Sequence, residues 1–132
     1  MPYIEILPNN FHLVIPNEPG VYKIFSLNEN GFPRSINRIG GIDNEGILYI
    51  GESKNLRERL RMLWRVLKPE YLTTAHTFGF NYNSVPLLQE MFPINTLAIK
   101  FEINQDHINY ESLLIENYRQ SFGEVPPFNG KK

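Results

Sequence analysis

The sequence of 132 residues contains no cysteine, a single tryptophan and almost no net charge. Without cysteine the chain cannot form a disulfide, a thiolate metal site or a cysteine nucleophile. A formal charge of -1, from 13 basic and 14 acidic residues, excludes a histone-like protein that binds nucleic acid through its overall charge. The first ten residues carry no basic segment and no long apolar run. Neither a signal peptide nor a membrane span is therefore predicted, and we expect a cytoplasmic protein.

The chain has the composition of an ordinary globular domain, with 42% hydrophobic and 20% charged residues. Its length predicts one domain over residues 1–132. Hydrophobic periodicity and turn residues predict strands at 21–25, 47–50 and 96–103, and helices from 53 or 55 to before Pro69, at 87–92 and at about 108–122. This order predicts a small α+β domain in which a three-stranded antiparallel sheet is flanked by about three helices.

Positive charge is concentrated on the first predicted helix. Six basic residues lie between positions 54 and 68, against one acid: Lys54, Arg57, Arg59, Arg61, Arg65 and Lys68. The spacing of Arg57, Arg61 and Arg65 places them on one stripe, which we expect to bind nucleic acid or to be simply a solvated basic face. Arg59 does not lie on this stripe but at the edge of the leucine face. At such a position an arginine can bury its aliphatic stem and direct its guanidinium along a neighbouring surface.

Two glutamates on the last predicted helix point in different directions. On a helical wheel Glu111 falls inside the apolar arc and Glu116 falls outside it. Mg²⁺ keeps several waters and usually takes one or two protein carboxylates, so its ligand should reach solvent. We therefore predict that Glu116 binds the metal and that Glu111 is a local partner for a backbone or tyrosine donor.

Taken as an ordered set, these features resemble the GIY-YIG nuclease family. The set consists of Gly20-Val21-Tyr22, Tyr49-Ile50-Gly51, Arg59, the Glu111 and Glu116 pair, and Asn129 after two prolines. Each motif lies on the predicted element that the family uses, and the resemblance covers residues 19–129. It implies an endonuclease that hydrolyses DNA with one divalent ion, Mg²⁺ or Mn²⁺, in each active site.

The resemblance also implies roles for individual residues. Tyr22 and Tyr49 would lie near the attacking water, Arg59 on the scissile phosphate, Glu116 on the metal, and Asn129 in support. Further supporting candidates are Gly51, which precedes a helix N-terminus suited to phosphate, Lys54, and His76 between Arg59 and Glu116. Tyrosine becomes a credible base only beside a cation that favours phenolate. Which of the two tyrosines accepts the proton stays open.

The sequence also departs from the family pattern. Tyr22 and Tyr49 are 27 residues apart, which indicates an insertion at about 26–44 that we interpret as a substrate-reading loop. Glu52 and Leu63 stand where some members carry lysine and either tyrosine or histidine. These differences support an alternative function, a catalytically impaired nucleic-acid-binding or protein-interaction module. DNA is the expected partner in repair or restriction; RNA and a homodimer stay open.

Overall fold

The computed structural model describes residues 3–5, 15–66, 86–93 and 96–129. In chain order the elements are β1 (Tyr3–Glu5), β2 (Gly20–Ser26), β3 (Ile36–Arg38), β4 (Gly41–Asp43), β5 (Ile47–Ser53), α1 (Leu56–Val66), α2 (Pro86–Met91), β6 (Leu97–Ile103) and α3 (His107–Phe122). The predicted α+β class is confirmed. No helix in these ranges combines the length and apolar character that a membrane span requires.

The centre of the fold is the antiparallel sheet predicted from the sequence. Its strand order is β1-β6-β2-β5, so the three long strands lie together and β2 pairs with both β6 and β5. The three-residue strand β1, which the sequence pattern did not reveal, extends the sheet beside β6. The predicted insertion at 26–44 contains a separate two-stranded sheet formed by β3 and β4.

Two helices flank the sheet, so the prediction of about three was wrong. Helix α1 packs against β2 and β5, and α3 packs against β5, β2 and β4. The middle predicted helix exists as α2, but it has only six residues. Pro86 occupies its first position and Pro93 follows its end, and proline limits how far a helix can extend.

Helix α1 covers the face of the sheet that carries Tyr22 and Tyr49. The backbone N–H of Glu58 donates to Oδ1 of Asn55 at 3.2 Å, which caps the first turn as the sequence predicted. The predicted leucine face is buried where the structure describes it, at Leu56, Leu60 and Leu63. Leu67 lies outside the described residues.

Helix α3 covers the opposite face. Ile115 and Tyr118 are its buried residues and pack against Ile47 and Ile50 of β5. At the same interface the buried Asp43 carboxylate accepts hydrogen bonds from the backbone N–H groups of residues 45, 46 and 47 and from the Tyr118 hydroxyl at 2.8 Å. Burial, followed by the nearby Asp43 carboxylate, raises the pKa of Tyr118. This buried network fixes α3 to the turn that leads into β5.

Replacing Tyr118 with phenylalanine is expected to destabilise the protein by about 1.5–3 kcal/mol, because a hydrogen bond to a buried carboxylate is lost. Tyr110→Phe is the matched control, since the Tyr110 hydroxyl also donates to a carboxylate, Glu102, but at an exposed position. We expect its cost to be below about 0.5 kcal/mol. Urea unfolding measures both values, and equal costs would contradict a stabilising role for the buried bond.

Candidate active site

The two tyrosines of the triplets meet over Gly51. In the register of β2 and β5, Tyr22 lies opposite Gly51 and Ile24 lies opposite Tyr49. The Tyr22 and Tyr49 ring centroids are 6.1 Å apart, and both side chains are buried. A Cβ at position 51 would lie 2.5 Å from Cζ and 2.6 Å from the hydroxyl oxygen of Tyr22, and 2.8 Å from Cε2 of Tyr49. Only glycine leaves room there for both rings.

The glycine of the other triplet is required by a backbone contact. A Cβ on Gly20 would lie 2.2 Å from the carbonyl oxygen of Glu102 and 2.8 Å from Cδ1 of Leu56. Gly20 thus lets β2, β6 and the start of α1 come together. This contact places α1, and the arginines on it, beside the tyrosines.

Arg59 is the cation that reaches the tyrosine pair. It lies in the second turn of α1, is partly buried, and its side chain hydrogen-bonds Tyr22. A methionine, Met62, also lies beside the guanidinium, with its sulfur 3.8 Å from one terminal nitrogen. The structure therefore brings Arg59 together with Tyr22, as a role in the site requires.

The pKa of Tyr22 is raised well above its ordinary value. Burial of the phenol is the largest cause, the neighbouring Tyr49 adds to it, and Glu111 adds a smaller effect through its charge. Arg59 opposes the shift, through its charge and its hydrogen bond. The neutral form of the Tyr22 phenol is therefore favoured.

Glu111, rather than Glu116, is the acid of α3 whose charge contributes to the pKa of Tyr22. Its carboxylate is close enough to raise the pKa of Tyr22. Glu116 is exposed, and its oxygens accept hydrogen bonds from Arg119 at 2.6 and 3.1 Å and from Gln120 at 2.7 Å, all within its own helix. The Arg119 hydrogen bond is the first cause of the lowered pKa of Glu116.

The assignment of Glu116 as the metal ligand stays a prediction, and its contacts in this structure lie within its own helix. The wheel placed Glu111 in the apolar arc, and that arc does face the sheet through Ile115 and Tyr118. That face packs on the side of the sheet opposite α1.

Asn129 supports the site through the backbone. Its amide donates to the carbonyl oxygen of Ile50 at 2.9 Å and accepts from the N–H of Ile50 at 3.0 Å, while the N–H of Phe128 donates to the carbonyl of Leu48 at 2.9 Å. β5 is the outer strand of the sheet, so these bonds take the place of a neighbouring strand. Asn129 thus fixes the residue between Tyr49 and Gly51.

Two arginines of the predicted stripe, Arg57 and Arg61, make contacts within the chain. Nε of Arg57 donates to the carbonyl oxygen of Ile15 at 2.6 Å, and Arg61 forms an ion pair with Glu58 at 3.1 Å. The side chain of Arg65 and the whole of His76 lie outside the described residues. Lys54 is exposed just before α1 begins.

Sequence reasoning missed a pair of side chains beside Gly51. Glu52 follows this glycine, and its Oε2 is hydrogen-bonded to Nδ1 of His107, the first residue of α3. The sequence offered one indication of a role for His107. It precedes Glu111 by four residues, which places the two side chains on the same face of the last helix.

The two triplets thus lie on adjacent antiparallel strands, and a helix that carries the site arginine follows the second triplet. This arrangement is the one expected from the resemblance of the sequence to the GIY-YIG nucleases. The chain matches no family model and no curated protein.

Solved structures similar to the chain include several of the GIY-YIG N-terminal endonuclease domain of UvrC from Thermotoga maritima. A point mutant bound to the catalytic divalent cation is 23% identical and has a TM-score of 0.44, with 91% of each chain covered. The magnesium-bound domain is 20% identical and has a TM-score of 0.42, with 89% of this chain and 90% of that chain covered. These likenesses concern overall shape, so the roles of individual residues rest on the contacts within this chain.

The acidic groups at this site suit a hydrated ion. Among the described ranges there is no group of three His, Cys, Asp or Glu side chains arranged to hold a metal. Glu111 offers one carboxylate, which leaves the remaining positions to water and a substrate phosphate. Mg²⁺ is commonly bound in this way, so the donor set fits it.

Gly51→Ala is expected to destabilise the protein by about 1–3 kcal/mol, because the new methyl group overlaps the phenol of Tyr22. In a Tyr22→Leu background the distal ring atoms are absent. Gly51→Ala should therefore lower the free energy of unfolding by less in that background. Urea unfolding of the four proteins in this cycle measures the coupling. An equal cost in both backgrounds would show that Tyr22 is not the obstacle.

The free energy of unfolding at alkaline pH should depend on the buried Tyr22 phenol. Because its pKa is raised in the folded protein, the stability that the neutral phenol provides is fully present below about pH 10 and is lost as the pH rises above it. The Tyr22→Phe variant should therefore lose less stability between about pH 9 and 11 than the parent protein. Parallel pH profiles of the two proteins would contradict this prediction.

Proposed function

We propose that this chain is a metal-dependent endonuclease that hydrolyses DNA phosphodiester bonds. The observation that carries the proposal is the meeting of Tyr22, Tyr49 and the Arg59 side chain above Gly51, with the Glu111 carboxylate close enough to act on Tyr22. Such a group combines a cation for a phosphate, a carboxylate for a divalent ion and hydroxyls for water. Phosphodiester hydrolysis needs an activated water and stabilisation of the negative charge that develops on the phosphoryl oxygens, and these groups can provide both.

Arg59 is the proposed phosphate-binding residue. In hydrolysis a water oxygen bonds to phosphorus, the bond to the leaving oxygen breaks, and negative charge increases on the phosphoryl oxygens. A guanidinium matches these oxygens with two parallel N–H donors. The partly buried position of Arg59 strengthens that interaction, because the surrounding medium is less polar than water.

Glu111 is the proposed metal ligand, in place of Glu116. A bound Mg²⁺ or Mn²⁺ would polarise a phosphoryl oxygen and make water more acidic. Glu111 supplies the carboxylate, and the first turn of α3 holds it beside β5. The proposal needs only one ion in each site.

The tyrosines have unequal roles in this proposal. The raised pKa of Tyr22 favours its neutral phenol, whose hydroxyl can donate a hydrogen bond to the attacking water or the phosphate. Loss of that proton requires positive charge beyond that of Arg59. Tyr49, whose ring packs beside Tyr22, is the other candidate acceptor of the water proton.

The sharpest test compares two glutamates on the same helix. Supercoiled plasmid is incubated with the parent protein, Glu111→Gln and Glu116→Gln, in Mg²⁺, Mn²⁺ or EDTA. We expect nicking only with metal, a loss of at least about a hundredfold for Glu111→Gln, and parent-like nicking for Glu116→Gln. Nicking by Glu111→Gln at the parent rate would overturn the assignment of this ligand.

Salt-sensitive binding of DNA without cutting is the outcome that favours the alternative module. Metal and either glutamate substitution would then leave the affinity unchanged. An RNA of the same sequence, tested in parallel, distinguishes the two nucleic acids as substrates.

A further inference from the structure

The insertion at 26–44 carries the hairpin of β3 and β4, whose two faces differ. In the register of the hairpin Asn37 lies opposite Ile42, and both are exposed. Side chains alternate along a strand, so Arg38 and Asp43 project from the other face. Asp43 is buried, and the Arg38 side chain is only 12% exposed. This second face therefore contacts the rest of the protein.

The buried face of the hairpin holds the residues that follow α3. Nη2 of Arg38 donates to the carbonyl oxygen of Val125 at 2.7 Å and forms an ion pair with Glu124 at 3.1 Å. The backbone N–H of Ile39 donates to Oε2 of Glu124 at 2.8 Å. Both the backbone and a side chain after α3 are thus fixed to the hairpin.

Gly40 brings the turn of the hairpin against the last turn of α3. Its N–H donates to the carbonyl oxygen of Phe122 at 2.7 Å, and a carbonyl at the end of a helix has no partner within the helix. A Cβ at position 40 would lie 2.8 Å from the carbonyl carbon of Phe122 and 2.9 Å from its oxygen. Only glycine permits this approach, so the turn is fitted to the end of the helix.

The segment held by the hairpin continues directly into the edge of β5. Only two prolines separate Val125 from Phe128 and Asn129, whose hydrogen bonds close the outer edge of that strand. Proline fixes φ and restricts the residue before it, so this run is stiff. The N–H of Asn129 also donates to the carbonyl oxygen of Pro126 at 3.0 Å, which closes the turn. The position of Val125 therefore determines where Asn129 meets the strand.

We propose that the β3–β4 hairpin is a clamp for the C-terminal segment, with Arg38 as its positioning residue, rather than a loop that reads the substrate. By holding Val125, the clamp sets Asn129 against Ile50 and so fixes the stretch of β5 that carries Tyr49. The effect on catalysis rests on the proposed function, in which that tyrosine takes part. The effect on the strand does not.

The first test measures amide hydrogen exchange in the whole protein, without DNA. Arg38→Ala should speed exchange roughly tenfold or more at the Ile50 amide, which donates to Asn129. The Ile24 amide, in the central strand β2, reports global unfolding and should be accelerated less. Arg38→Lys should recover much of the difference, because its ammonium can still donate to the Val125 carbonyl.

The second test measures metal-dependent nicking of supercoiled plasmid. Arg38→Ala should lower kcat about tenfold and leave KM close to the parent value, because the clamp positions the site and does not bind DNA. Asn37→Ala and Ile42→Ala are the matched controls, since they alter the exposed face of the same hairpin. Both variants should keep the parent kcat and KM.

The outcomes separate the clamp from the proposed function. Exchange at Ile50 that rises no more than exchange at Ile24 in Arg38→Ala overturns the clamp, whether or not the protein cuts DNA. An unchanged kcat in Arg38→Ala overturns the positioning role in the reaction, and a KM raised by Asn37→Ala or Ile42→Ala overturns the choice of a clamp over substrate reading. A parent protein that does not nick DNA overturns the proposed function, whereas faster exchange at Ile50 in Arg38→Ala would still support the clamp.

Discussion

The site depends on the close approach of two tyrosine rings to a backbone that carries no side chain. Tyr22 and Tyr49 are buried in the core, yet their ring atoms reach within 3 Å of where a Cβ of Gly51 would be. This contact requires β2 and β5 to keep one register. A shift of β5 by one residue would turn Tyr49 to the other face and place Ile50 opposite Tyr22, in the space left by glycine. The hydrogen bonds from Asn129 to Ile50 fix the same stretch from the outer side.

The residues around the tyrosines come from both faces of the sheet. Arg59 is presented by α1 on one face, and Glu111 belongs to α3, which packs on the other. Both helices begin near the end of β5, because α1 follows it in the chain and His107 of α3 is hydrogen-bonded to Glu52. A small domain can in this way combine a cation and a carboxylate without placing either in the middle of its core.

Much of this arrangement was predictable from local pattern. Neighbouring residues determine several of its features, which could therefore be predicted from the sequence. These are the alternation in the strands, the leucine face of α1 and its Asn55 cap. The two triplets indicated where tyrosines would stand on paired strands. Strand β1 and the hairpin of β3 and β4 were not predictable, since three-residue strands give too little alternation to distinguish them from loops.

The choice between Glu111 and Glu116 shows where such reasoning stops. The helical wheel correctly placed Glu111 on the apolar side of the helix and Glu116 on the exposed side. A wheel does not show, however, how far along the helix the apolar core extends. The acid inside the arc, Glu111, is the one whose charge contributes to the raised pKa of Tyr22, and it is our proposed ligand. The hydrogen bond between Glu52 and His107 joins residues 55 apart in sequence, a separation that local pattern does not reach.

The hydrogen bonds between Asn129 and Ile50 affect the order in which parts of the protein fold during synthesis. These residues are 79 apart in sequence, so the outer edge of β5 stays open until the segment at 126–129 has been synthesised and has folded back. A nascent chain can bring its tyrosines and arginine together earlier, but it cannot lock the strand that carries Tyr49 and Gly51. The reactive geometry is thus completed late, when the open strand edge, a hazard for pairing with other chains, is closed by the same two hydrogen bonds.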